Sequence, residues 1–148
     1  MDDARQIENL VYRYTHLLDG GDWDAFGGLF AHGEWVLPST DFGKDHVLRG
    51  AEVTGWMHAN IHRYADGTPR TSHLTTNVHI EVATDGTTAA ATSYLTVMQA
   101  VDPTLPLQAI FCGRYEDAFA KRDDGWWFAR RRIVAVSIGD MHAHVIGP

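Results

Sequence analysis

At 148 residues, with 45% hydrophobic side chains and one cysteine, the chain is long enough to bury a single core and excludes both a disulfide framework and a thiolate cluster for zinc. Its 12 Lys and Arg against 19 Asp and Glu give a net charge of −7, which repels phosphate backbones and anionic lipid and argues against nucleic-acid and membrane partners. Met1 is followed by Asp2, Asp3 and Arg5, with no basic and then apolar leader and no apolar run near the roughly 20 residues of a membrane span, so one cytoplasmic, soluble domain over residues 1–148 is expected.

Between residues 4 and 18, Ile7, Leu10, Val11, Tyr14, Leu17 and Leu18 recur at three- and four-residue steps, which predicts a helix with one buried face. Gly20 and Gly21 end it just after Asp19, and Asp22 then caps a second helix through Trp23, Phe26, Leu29 and Phe30, weakened by Gly27 and Gly28. Residues 34–37 read as a short strand stopped by Pro38, and 39–45 as a loop or loose hairpin. Residues 51–64 form a third predicted helix, with Val53, Trp56, Met57, Asn60 and Ile61 on one face and Asp66, Gly67 and Pro69 ending it. After Pro69 the chain turns β-branched and aromatic in four stretches, 71–82, 87–100, 107–120 and 126–138. They are separated by Asp85-Gly86, by Asp102-Pro103 with Pro106, and by Asp124-Gly125. Three helices followed by sequential antiparallel strands predict an α+β fold, a curved sheet around the helices with a pocket between them. Residues 142–148 carry little pattern and read as a tail or a partner contact.

The five Trp, five Tyr and six Phe suit a lined pocket, and Trp56, Met57, Phe111 and Tyr115 serve equally well as pocket wall or core. Arg130, Arg131 and Arg132 must alternate faces if they lie in a strand, with a solvated or interface role as the default. His58 and His62, four apart on the third helix, have a metal-binding spacing but lack an obvious acidic third ligand, so no metal site is expected. Cys112 reads as a small buried hydrophobe.

Three stretches resemble those of a known family. The run IENLVYRYTHLLDGGDWDAFGGLF sets Tyr14 five residues before Asp19 with a Trp-Asp pair soon after, RTSHLTTNVHIEV opens a strand with His73, and YEDAFAKRDDGWWFARRRI forms a hairpin with an Asp-Gly turn. In this order they resemble the SnoaL-like branch of the nuclear transport factor two-like superfamily over nearly the whole chain. That resemblance implies a cone-shaped α+β barrel, with three N-terminal helices packed in a curved, mainly antiparallel sheet. The Asp and His pattern is similar to that of scytalone dehydratase, hexachlorocyclohexane dehydrochlorinase and bile-acid 7α-dehydratase. It implies Asp19 as the dyad carboxylate, His73 as the base, Tyr14 as a polarising hydroxyl and Arg131 as the arginine of the dehydrochlorinase's last hairpin; Arg131, with the pocket-wall candidates Trp56, Phe111 and Tyr115, is expected to bind substrate. The lysine that the dehydrochlorinase carries on its first helix is absent. The implied activity is a cofactor-independent, dehydratase-type lyase on a small cyclic or aromatic oxygenated molecule. A polyketide cyclase, a double-bond isomerase, or a noncatalytic binding or assembly subunit would share the scaffold, as a homodimer or homotrimer.

Imidazole chemistry agrees with that assignment. Neutral imidazole is the side chain best matched to proton abstraction near neutral pH, and a carboxylate accepting its other ring N–H holds the tautomer and stabilises the imidazolium that forms.

Overall fold

The computed structural model describes residues 1–38 and 44–147. Helix α1 spans Asp3–Asp19 and α2 Trp23–Gly28; β1 (Glu34–Leu37) and β2 (His46–Arg49) come before α3 (Ala51–Asn60), and β3 (Thr71–Val82), β4 (Thr88–Val101), β5 (Leu105–Arg122) and β6 (Gly125–Ile138) complete the chain. One six-stranded sheet runs in the order β2-β1-β6-β5-β4-β3. All its pairings are antiparallel except β1 with β6, which run parallel. It is a mixed, curved, open sheet with helices on its concave side, the expected α+β cone.

The helices form where the periodicity places them, and side chains close their ends. Asp2 accepts the Arg5 backbone N–H at 2.7 Å and Asp22 that of Ala25 at 3.2 Å, each satisfying an amide that lacks an intrahelical partner. Ile7, Val11, Tyr14 and Leu18 make the buried stripe of α1. Helix α2 is shorter than its pattern suggests, yet Leu29 and Phe30 stay buried in the turn that follows. The third helix stops at Asn60 rather than Tyr64, because Ile61 takes extended backbone and bridges Val145. Strand β2 is the one element the sequence does not announce. It has only four residues, of which Leu48 alone is buried, and its pairing with β1 defines it.

The long strands alternate as half-buried strands must, Leu95, Val97, Gln99 and Val101 of β4 facing inward between exposed or half-exposed neighbours. Register shifts interrupt every ladder among β3 to β6, at Thr76/His79, Val97/Met98, Cys112/Gly113 and Ala118/Phe119 among others, and such bulges bend the sheet into a cone. Gly33 is required where the chain crosses β6, since a Cβ there would lie 2.1 Å from the Phe128 carbonyl oxygen.

The C-terminal segment is part of the fold, not a loose tail. Tyr64 Oη and Gln99 Nε2 both donate to the Ala143 carbonyl, the His62 N–H donates to that of His144, and the Ile146 N–H to that of Asn60. Ala143 and His144 are buried as a result. None of the described helices is long and apolar enough to cross a membrane.

Candidate active site

The helices and the concave face enclose a cavity of about 530 Å³, within the range of small-molecule pockets. Its walls are apolar: Leu18, Trp35, Met57, Leu95, Val97 and Ile133 contribute, with Met141 and Val145 from the C-terminal segment. Trp56, Phe111 and Tyr115 also face it, and Trp56 meets Trp35 edge to face at 5.5 Å. No Asp, Glu, Lys or Arg appears among the described lining residues, whose polar side-chain groups are those of Tyr14, Tyr115, His73, His142 and His144 and the indole N–H groups of Trp35 and Trp56.

Asp19 and His73 meet at one side of this cavity. Asp19 ends α1, where the chain turns at Gly20, and its carboxylate reaches the first residues of β3. One carboxylate oxygen lies 2.6 Å from His73 Nδ1 and accepts the Thr71 hydroxyl at 2.7 Å, while the other accepts the His73 backbone N–H at 2.7 Å. A carboxylate only accepts, so the hydrogen between the two side chains resides on Nδ1, and in the neutral ring the lone pair is on Nε2. The His73 and Asp19 side chains retain 7% and 23% of their exposure, which shields the pair from bulk solvent and preserves its strength. Burial by itself pushes the Asp19 carboxyl up. The His73 ring and backbone N–H groups and the Thr71 hydroxyl outweigh it and hold the carboxyl below its ordinary value.

Tyr14 lies at the floor, 1% exposed, and its oxygen accepts the Trp35 indole N–H at 3.1 Å, which leaves the phenolic hydrogen available to another acceptor. Burial raises its pKa against the opposing Arg131 charge, and burial raises Tyr115 further still, so both phenols stay protonated donors. Tyr115 Oη has no hydrogen-bond partner among the described residues.

Arg131, expected as a substrate contact or a solvated side chain, is neither. It is fully buried behind the cavity wall, its guanidinium 3.6 Å from the Tyr115 ring centroid and 4.3 Å from that of Tyr14, with two hydrogen bonds of 2.8 and 2.9 Å to Asp117. A guanidinium so placed packs on the outer faces of the two tyrosine rings, which separate it from the cavity. Arg132 instead pairs with Asp45 and Glu116 at the surface, and Arg130 is exposed. His58 stands 3.7 Å from Asp24 and His62 stacks on Tyr64, and among the described residues no three His, Cys, Asp or Glu converge as a metal site. Cys112 is half-buried. Sequence reasoning missed His144, which is buried, lines the cavity and has its ring centroid 6.2 Å from that of His73. It sits in the stretch that carried no periodic signal.

A cone of this topology with an apolar cavity opening between helices and sheet is the architecture of nuclear transport factor two-like proteins with a cystatin-like fold. The chain belongs to the SnoaL-like domain family, whose model matches residues 1–132. It is similar in structure to a Mycobacterium tuberculosis protein of unknown function, with TM-score 0.73, 23% identity and coverage of 91% of this chain and 72% of that one. A candidate scytalone dehydratase from Novosphingobium aromaticivorans superposes with TM-score 0.71 at 21% identity, over 98% and 91% of the two chains. LinA superposes with TM-score 0.68 at 14% identity, over 98% and 93%. No functionally curated protein shows a significant sequence match to the chain.

Proposed function

We propose that the protein is a cofactor-independent lyase that removes water from a small cyclic or aromatic oxygenated molecule, with His73 as general base. The observation that carries this reading is the 2.6 Å Asp19–His73 contact at the wall of an apolar cavity. His73 Nε2 takes the proton α to a carbonyl, the electron pair of that C–H bond forms a carbon–carbon double bond to the carbonyl carbon, and the C=O π pair moves onto the oxygen. Tyr14 donates to that oxygen, with the Arg131 charge behind the phenol favouring the oxyanion. The enolate then re-forms the carbonyl, expels the β-hydroxyl and leaves a carbon–carbon double bond. Protonated His73 returns its proton to the departing oxygen, which leaves as water and restores the base. Trp56, Phe111 and Tyr115 enclose the ring system. An isomerase or cyclase would start from the same enolate.

The test is a panel of cyclic β-hydroxyketones incubated with the protein without added cofactor. Conjugated product is followed by ultraviolet absorbance, and α-proton exchange in D2O by NMR. Elimination in at least one compound is expected. Exchange without elimination would move the reading to isomerase or cyclase, and binding with neither would make the protein a noncatalytic binder.

Self-association is part of the same proposal. Leu74, Tyr94 and Val136 are 49%, 58% and 66% exposed on β3, β4 and β6, apolar surface that a second or third copy would cover. Light scattering on the purified chain is expected to give a dimer or trimer mass, and a monomer at 100 µM (roughly the upper end of an ordinary assay) would refute it.

A further inference from the structure

His144 is a buried polar group whose ring no described residue engages at Nδ1. That nitrogen has no hydrogen-bond partner among the described residues, a state that costs about 1–3 kcal/mol and that a leucine or phenylalanine would avoid, and it is closed off even with the cavity empty, so the nitrogen open to a ligand is Nε2, which is neither closed off nor hydrogen-bonded to a described residue. The ring is not there by loose packing. Its own backbone N–H donates to Met141, its carbonyl accepts from His62, and the flanking Ala143 carbonyl accepts from both Tyr64 and Gln99. The side chain thus lies in a fixed wall, within the cavity and facing the His73 ring at 6.2 Å. Burial, and then the charge of His73, push its pKa down to about 3, so it remains a neutral imidazole, one nitrogen a donor and the other an acceptor. The other lining side chains are apolar or uncharged apart from the histidines.

We propose that His144 is a specificity-determining residue that recognises an uncharged hydroxyl group of the ligand, held between its ring and that of His73. A hydroxyl both donates and accepts, so it matches a neutral imidazole in either tautomer, whereas a carboxylate or ammonium would lose its hydration with no Asp, Glu, Lys or Arg among the described lining residues to replace it. The inference rests on the cavity being the substrate site, and it names the substrate class as neutral cyclic alcohols whose hydroxyl faces the dyad. His144 lies beyond residue 132, outside the region that matches the family model.

The test uses binding without turnover. 2-Indanol and indane differ by one hydroxyl, and neither carries a carbonyl to support elimination through an enolate. Isothermal titration of both ligands into the full chain gives the ratio of the indane Kd to the 2-indanol Kd. In His144→Phe that ratio is expected to fall by roughly 5- to 10-fold, the worth of one hydrogen bond to a buried neutral group, while the indane Kd stays within about twofold. His144→Leu should reproduce the fall, and His144→Gln, which keeps a donor and an acceptor, should retain most of the preference. Unchanged ratios in the two apolar variants, or loss of the native circular dichroism spectrum in both, would make His144 a structural side chain and overturn the proposal. Because no product is measured, a panel without elimination leaves this result standing, and an active lyase with unchanged ratios removes only the role of His144.

Discussion

His73→Ala and Asp19→Asn are each expected to lower kcat of the dehydration by about 10²–10⁴-fold while leaving the fold in place. The first removes the imidazole proposed as base, which the Asp19 carboxylate holds through Nδ1. The second keeps the shape of the side chain but presents an amide where the Nδ1 hydrogen needs an acceptor, so the ring loses its fixed tautomer and the imidazolium loses its counter-charge. KM should move much less than kcat, since the cavity's apolar walls are untouched. A variant of either residue with full turnover would end the dyad mechanism. Stability offers a second reading of the same carboxylate. Asp19 is held below its ordinary value, so its contribution is present above the unfolded value of about 3.9 and is lost as pH falls through the lower, folded one. Urea midpoints of the native chain should therefore drop more steeply from pH 5 downward than those of Asp19→Asn, in which that proton uptake is gone.

The sequence carries most of the fold because its main change of period falls at Pro69, from mostly helical steps broken by the short strand at 34–37 to long β-branched strands, and the turn residues fall where the later hairpins close. What escapes it depends on distant pairing. β2 has four residues and takes its identity from β1, and α3 is cut short by the bridge between Ile61 and Val145. Asp19 and His73 can be singled out through a resemblance to known stretches, but their contact across the α1–β3 boundary is a matter of three dimensions. His144 belongs to a segment held by side-chain and backbone bonds to His62, Tyr64 and Gln99, none of them periodic, and only an orphaned buried nitrogen draws attention to it. The arginine run shows the limit most sharply. Trp126 and Phe128 face inward, so strict alternation would bury Arg130 and Arg132, yet the shift between Ala118 and Phe119 adds a residue on β6 and turns Arg131 inward instead.

That buried guanidinium leads to the largest expected loss of stability. Arg131→Met should destabilise the protein by about 3–5 kcal/mol in urea unfolding, because it strands the Asp117 carboxylate, whose side chain is also wholly inaccessible, among aromatic rings. Asp117→Asn should cost a similar amount by leaving the arginine uncompensated. Replacing both in Arg131→Met/Asp117→Leu removes the desolvated charges together, and the double variant is expected to recover most of the loss. The recovered protein then separates two roles of one side chain. If Arg131 serves only as half of an ion pair, the double variant keeps full turnover. If its charge supports the oxyanion through Tyr14, whose ring lies 4.3 Å from the guanidinium carbon, the double variant folds but turns over more slowly, with kcat affected more than KM. We expect the second outcome: Arg131 opposes the burial that raises the Tyr14 pKa, and without it the phenol becomes a weaker acid and a poorer donor to a developing negative charge. A single-variant loss below about 1 kcal/mol would show that the pair is dispensable, and an unimpaired double variant would confine Arg131 to the scaffold.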